Sequence, residues 1–288
     1  MKGAVPRRLI LTVACLLGAG ATACVLFPLA PAGPDQAERE KIPGTPGKFT
    51  YRVSQFVFLS DFEIQRNLPI FRELASLREQ VYKELQLPGA TTIVQVFLFE
   101  DRERYERFMQ LKHPDLPKRR AFFVAQPRRL GGGEDLLVYT YWGDRIQQDL
   151  RHELTHALLH AVLKDVPLWL DEGLAEFFEV PPGWNGINLQ HVEQMRGQNK
   201  FDLDRLEQLT DVRQMNPAEY REAWAWTHLM LRGSPAASQV LVSYLRDLRA
   251  SPRTAALRPR LEKAFPSLDA ALEQHLVNLG LSKSRPAN

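Results

Sequence analysis

The sequence predicts an α+β fold: a mixed sheet with helices, then two helices rich in buried-type and ionisable residues, then an all-α portion. Three observations carry this expectation. Between residues 49 and 141, short runs of aromatic and β-branched residues alternate with segments of helical apolar spacing. Between 145 and 179, two helical patterns are separated at Pro167. From 190 to 280 the helical pattern continues without a convincing strand.

The elements follow in order. FTYRVSQFVFLSD (49–61) reads as extended structure, and LPIFRELASLREQVYKELQL (68–87) as a helix that stops before Pro88-Gly89. TTIVQVFLFE (91–100) is a buried strand by length and β-branching, and Asp101 stands at the N-cap of a short helix, DRERYERFMQL. RAFFVAQ and DLLVYTYW read as two strands around PRRLGGGE. Its glycines are not followed by the Lys-Ser/Thr pair that opens a phosphate loop, so a hairpin turn is expected. Asp144 with Gln147 makes a capping-box pattern at the head of a helix over 145–163, and a second helix follows at about 168–179. Pro181-Pro182-Gly183 then divides a unit over 48–180 from a helical subdomain over 181–281 and a tail at 282–288.

The start of the chain is of a different kind. Lys2, Arg7 and Arg8 precede an uncharged, mostly apolar stretch over 9–30, the layout of a signal peptide or membrane anchor. Three outcomes are open: cleavage after Ala21-Thr22-Ala23, lipidation at Cys24, or retention as a membrane span. Each places the rest of the chain outside the cytoplasm, whether secreted, periplasmic or membrane-anchored, beyond a Pro- and Gly-rich linker at 31–47. The formal charge of +3 is 37 basic against 34 acidic residues, and the leader supplies three of the basic ones. What remains is balanced, which gives no case for a nucleic-acid partner. The basic run KRRAFFVAQPRR (118–129) reads as a solvated turn feeding a strand. Both cysteines, Cys15 and Cys24, lie in the leader, so a metal in the exported part must be held by His, Asp or Glu.

The segment RHELTHALLH (151–160) concentrates the unusual chemistry. Residues four apart on a helix share a face, so His152 and His156 can offer their imidazoles to one ion. Glu153 points about 100° away and can reach a water bound to that ion, which is the mechanical content of His-Glu-x-x-His. Zinc lowers the pKa of such a water toward about 7, and the glutamate takes its proton. The competing reading is an amphipathic surface helix with Leu150, Leu154, Ala157 and Leu158 inside. A catalytic zinc wants three protein ligands and an open position. His160 lies too far along the same helix to close the site and is expected to support or flank it. PLWLDEGLAEFFE (167–179) presents Glu172 on a second helix that returns antiparallel after Pro167, with Gly173 allowing the two helices to approach closely. Glu176, one turn further, could accept the free ring N–H of a ligand histidine and fix its tautomer.

HELTH followed by WLDEGLAEFF resembles the gluzincin clan of zinc metallopeptidases, in its thermolysin-like and aminopeptidase-like members. Over about 50–245 the chain is similar to a group of exported bacterial gluzincin-like domains. The resemblance implies a zincin-like sheet with active-site helices, His152, His156 and Glu172 as Zn²⁺ ligands, Glu153 as general base and Glu176 beside them. It also implies that the strand LLVYTY is the sheet edge on which an extended peptide docks. EYREAWAWTHLML (219–231) resembles the segment that carries an oxyanion donor, which points to Tyr220, or else His228. The Gly-x-Met-x-Asn segment of the exopeptidases is absent, so aminopeptidase activity is not expected. The expected function is extracytoplasmic, zinc-dependent hydrolysis of peptide bonds in a peptide or protein substrate. The alternative is an inactive zincin-fold binding or scaffold protein.

Overall fold

The computed structural model describes residues 44–128, 133–198, 200–251 and 256–282; the leader, the linker up to residue 43 and the tail from 283 lie outside the described residues. Aromatic and β-branched residues build five strands, β1 (Phe49–Val53), β2 (Phe56–Ser60), β3 (Val94–Phe99), β4 (Ala121–Pro127) and β5 (Glu134–Tyr141), in the order β1-β2-β3-β5-β4. The 49–61 run, read as one extended stretch, turns back at Ser54, whose φ of 54° is left-handed, and pairs with itself as an antiparallel hairpin. β2–β3 and β3–β5 are parallel, and β4–β5 is an antiparallel hairpin in the register Ala121↔Thr140. Residues 129–132 of the expected hairpin turn fall outside the described set, but Arg128 N donates to Gly133 O at 3.0 Å across it.

The helices are α1 (Pro69–Glu84), α2 (Arg102–Lys112), α3 (Ile146–His160), α4 (Leu168–Glu179), α5 (Leu189–Gln194), α6 (Leu203–Glu207), α7 (Pro217–Arg232), α8 (Pro235–Ala250), α9 (Arg258–Ala264) and α10 (Leu268–Ser282). The period-2 alternation of the strands sends successive residues to opposite faces of the sheet. Val94, Val96, Leu98, Phe123, Leu136 and Val138 face the large core with α1, α3 and α4, whereas Phe99, Phe122, Val124, Leu137 and Tyr139 pack on α2 through Tyr105 and Phe108. Asp101 caps α2 as expected, its carboxylate accepting from Arg104 N at 2.9 Å. One apolar cluster runs from Val53 to Leu276, so residues on either side of 181 share a core, with α7 lying against α4. Among the described residues no helix is long and apolar enough to cross a membrane.

Two expectations fail here. The capping box at α3 does not form: Arg145 occupies the N-cap without a side-chain bond. Asp144 is drawn to Arg120 Nη2 at 3.0 Å and Gln147 to Glu73, because a charged or distant tertiary partner outbids a local backbone N–H. The sheet edge is also different. β5 is interior, between β3 and β4, because the β4–β5 hairpin folds back over it, and the edge strand on that side is β4.

Candidate metal centre

α3 lies across the sheet against β4 and β5 and seats Leu150, Leu154, Ala157 and Leu158 in the core. That orientation turns the face bearing His152 and His156 toward α4, which returns antiparallel after Pro167. α4 is buried almost all round, and the burial of Asp171 and Glu172 in it, each 1% exposed, demands compensation. Glu172 Oε2 lies 3.4 Å from His152 Nε2 and 3.6 Å from His156 Nε2. These contacts are too long for good hydrogen bonds, and Oε2 has no hydrogen-bond partner among the described residues.

The opposite ring nitrogens explain this gap. His152 Nδ1 is 3.1 Å from Glu179 Oε2, and His156 Nδ1 is 3.0 Å from Asp171 Oδ2. At His152 the bond to Glu179 selects the tautomer with its proton on Nδ1 and leaves the Nε2 lone pair free; at His156 the Asp171 carboxylate stands beside Nδ1 without hydrogen-bond geometry and acts through its charge. Two imidazole nitrogens and a carboxylate oxygen then converge within 4.8 Å of one another. Three acceptors so placed repel unless a cation stands between them. Nitrogen and oxygen ligands of a tetrahedral Zn²⁺, each about 2.0–2.1 Å from the ion, are about 3.3–3.4 Å apart, close to the spacing found.

The electrostatics agree. Burial presses His152 and His156 toward the neutral form, yet the carboxylates of Glu172, Glu179 and Asp171 override it, holding His152 well above the ordinary range and His156 at about 10. Burial likewise opposes ionisation of Asp171 and Glu172, and the adjacent imidazoles outweigh it, holding both carboxylates low. Without a metal the site therefore stores protons, and a metal ion would displace them. Glu153 is half-buried and faces the same small cavity, about 10 Å³, lined also by Arg119, Phe122 and Phe123. Burial first, then the Glu172 charge, raises its pKa against the pull of the two histidines. It has no hydrogen-bond partner among the described residues.

Several expected roles are redistributed. Glu176 does not hold a ligand histidine. Its Oε2 lies 2.8 Å from His191 Nε2, and Glu179, one turn further, takes the bond to His152. Of the two places expected for His160, beside the site or on the surface, the structure gives the first: its Nε2 is 3.0 Å from the same Asp171 oxygen that faces His156. Gly173 permits a close approach, but to α7 and not to α3. A Cβ there would stand 2.4 Å from Thr227 Oγ1 and 2.5 Å from Ala223 O.

Tyr220, at the start of α7, reaches the cavity region through Arg119, whose Nη2 donates to its hydroxyl at 2.7 Å. His228 sits on another part of α7, packed on Phe177 and Trp224 with Nδ1 2.8 Å from His275 Nε2, and takes no part in the site. Sequence reasoning missed Asp171, Glu179, His191 and Arg119. Asp171 and Glu179 flank residues already singled out, so helix spacing offered a signal for them; one arginine within a basic run offered none. Compared with known protein families, curated proteins and solved structures, the chain matches none.

Proposed function

We propose that this chain is a zinc-dependent metallopeptidase of zincin-like arrangement, acting outside the cytoplasm on a peptide or protein substrate. The observation that carries the reading is the convergence of His152 Nε2, His156 Nε2 and the unpartnered Glu172 Oε2 beside Glu153. Bound zinc would polarise a substrate carbonyl and bring the pKa of water into the neutral range.

The chain's own residues supply the rest. Glu179 orients the His152 imidazole, and the Asp171 charge beside His156 strengthens that ring as a donor of an electron pair. Glu153, whose affinity for a proton is raised by burial, accepts the proton from the attacking water and passes it to the leaving amine. The β4 edge offers unpaired backbone groups to an extended peptide, with Phe122 and Phe123 at its site end. The Tyr220 hydroxyl is the donor toward the developing oxyanion.

A second reading, a metal-holding scaffold without turnover, is favoured by one observation: the cavity is only about 10 Å³, space for a single water or ion. One experiment separates the readings. The purified soluble part should carry about one zinc per chain and lose it on His152→Ala. Glu153→Gln should keep the zinc and abolish cleavage of a peptide library. Turnover unchanged by Glu153→Gln refutes the base, zinc without any wild-type turnover leaves the scaffold, and absence of zinc refutes both readings.

A further inference from the structure

Arg119 and Arg120 are neighbours at the entry to β4, yet they are treated differently. Arg120 has two carboxylates, Asp144 and Asp149, each at 3.0 Å. Arg119 turns the other way, into the cavity with His152, Glu153, His156 and Glu172, and has no carboxylate within ion-pair distance among the described residues. Its shortest bond, 2.7 Å, goes to the neutral Tyr220 hydroxyl, and its guanidinium also stands 5.7 Å from the centre of that ring. Its charge is balanced at longer range by Glu172 and Glu153 across the cavity, while its direct bond goes to a phenol.

The chemistry of the two groups fixes the direction of that bond. A guanidinium has donors only, so the phenol oxygen accepts. The hydrogen of the Tyr220 hydroxyl must then point elsewhere, and among the described residues no acceptor takes it. Donation from Arg119 draws electron density from the phenol oxygen and makes its O–H a stronger donor. It also pins the oxygen in one place, which a ring mobile about its Cβ would not hold unaided. Arg119 lines the cavity of the converging ligands and bonds to that hydroxyl, so one guanidinium links the two.

We propose that Arg119 is the positioning residue of the oxyanion site: it acts through Tyr220, fixing and polarising the hydroxyl that donates to the tetrahedral oxyanion. This rests on the metallopeptidase reading above and adds the residue that prepares its electrophile. Arg119 lines the cavity, and the role assigned to it is to hold the Tyr220 hydroxyl; no covalent bond changes in this step.

The test uses zinc-loaded wild type, Arg119→Gln, Tyr220→Phe and the double variant, with an N-blocked Phe-Ala phosphinic dipeptide as a tetrahedral anionic probe. Zinc content is measured on each, and probe affinity by calorimetry. Arg119→Gln and Tyr220→Phe should each weaken the probe by about 10–100-fold, the range for loss of one preorganised oxyanion donor and its support. The double variant should bind like Tyr220→Phe within about twofold, because Arg119 has nothing to act on once the hydroxyl is gone. Arg119→Lys should recover part of the loss, and zinc should stay near one per chain throughout. If the double variant loses the product of the two single effects, Arg119 acts on its own and the proposal is overturned. It is overturned alone if Arg119→Gln binds the probe like wild type with zinc present. Absence of zinc from all four proteins overturns the metal reading and this inference with it.

Discussion

Gly173→Ala tests how α4 is held in place. The added Cβ would lie 2.5 Å from Ala223 O and 2.9 Å from Ala223 C, both backbone atoms of α7, and 2.4 Å from Thr227 Oγ1. The threonine hydroxyl can rotate away, but the carbonyl cannot. Restoring an ordinary carbon–oxygen contact of about 3.2 Å therefore requires the two helices to part by roughly 0.7 Å in a close-packed interior. Overpacking of this kind costs about 3 kcal/mol at the upper end of its usual range. Alanine in place of glycine within a helix returns about 1 kcal/mol. The net loss is about 2 kcal/mol, which for a chain of this size lowers Tm by about 4–8 °C. Gly183, where a Cβ meets nothing within 4 Å, supplies the control, and Gly183→Ala should stay within about 0.5 kcal/mol of wild type. The assay is thermal and urea unfolding of the metal-free proteins. Because Glu172 precedes Gly173, zinc affinity should fall in parallel. A Gly173→Ala protein that melts at or above wild type would refute the inferred α4–α7 contact.

Two further outcomes are expected. Glu179→Gln should weaken zinc binding about 10–100-fold by loosening His152, while Glu176→Gln, whose carboxylate faces His191, should change it far less; equal losses in competition with a chelator would contradict the assignment. Burial, helped by His275 and Arg232, pushes His228 down to about 3, and burial pushes His275 down to about 4, both below the unfolded value of about 6.5. The unfolded chain therefore takes up protons that the folded chain refuses, so this stability is full above pH 6.5 and drains away as pH falls toward 4. The slope is roughly 1.4 kcal/mol per pH unit for each histidine. His275→Gln should flatten the fall in urea midpoint between pH 7 and 5, and an unchanged slope would count against the pair.

What was legible in the sequence, and what was not, follows from how each residue is fixed. Strands and helices, and the shared face of His152 and His156, depend on local period and could be read directly. Glu172 was legible because an apolar helix has little reason to bury a carboxylate. Which face of α4 meets which neighbour was not, since both sides of it are apolar, and Gly173 accordingly faces α7. The tie between Glu176 and Glu179 is broken only by the register of α3 against α4. In an antiparallel pair, partners step backward as the first helix advances: His152 meets Glu179, and His160 meets Asp171. Next to His152 on α3, Arg151 is 1% exposed; its Nε donates to Phe178 O at 2.9 Å while Nη2 reaches Gln80 of α1 at 3.2 Å. Arg151 does not follow that backward step: its long side chain reaches along α4 to a backbone carbonyl one residue before Glu179. A buried arginine thus ties the carbonyl end of α4, the end that carries Glu179, to α3. Glu176, three residues back along α4, is then left to His191.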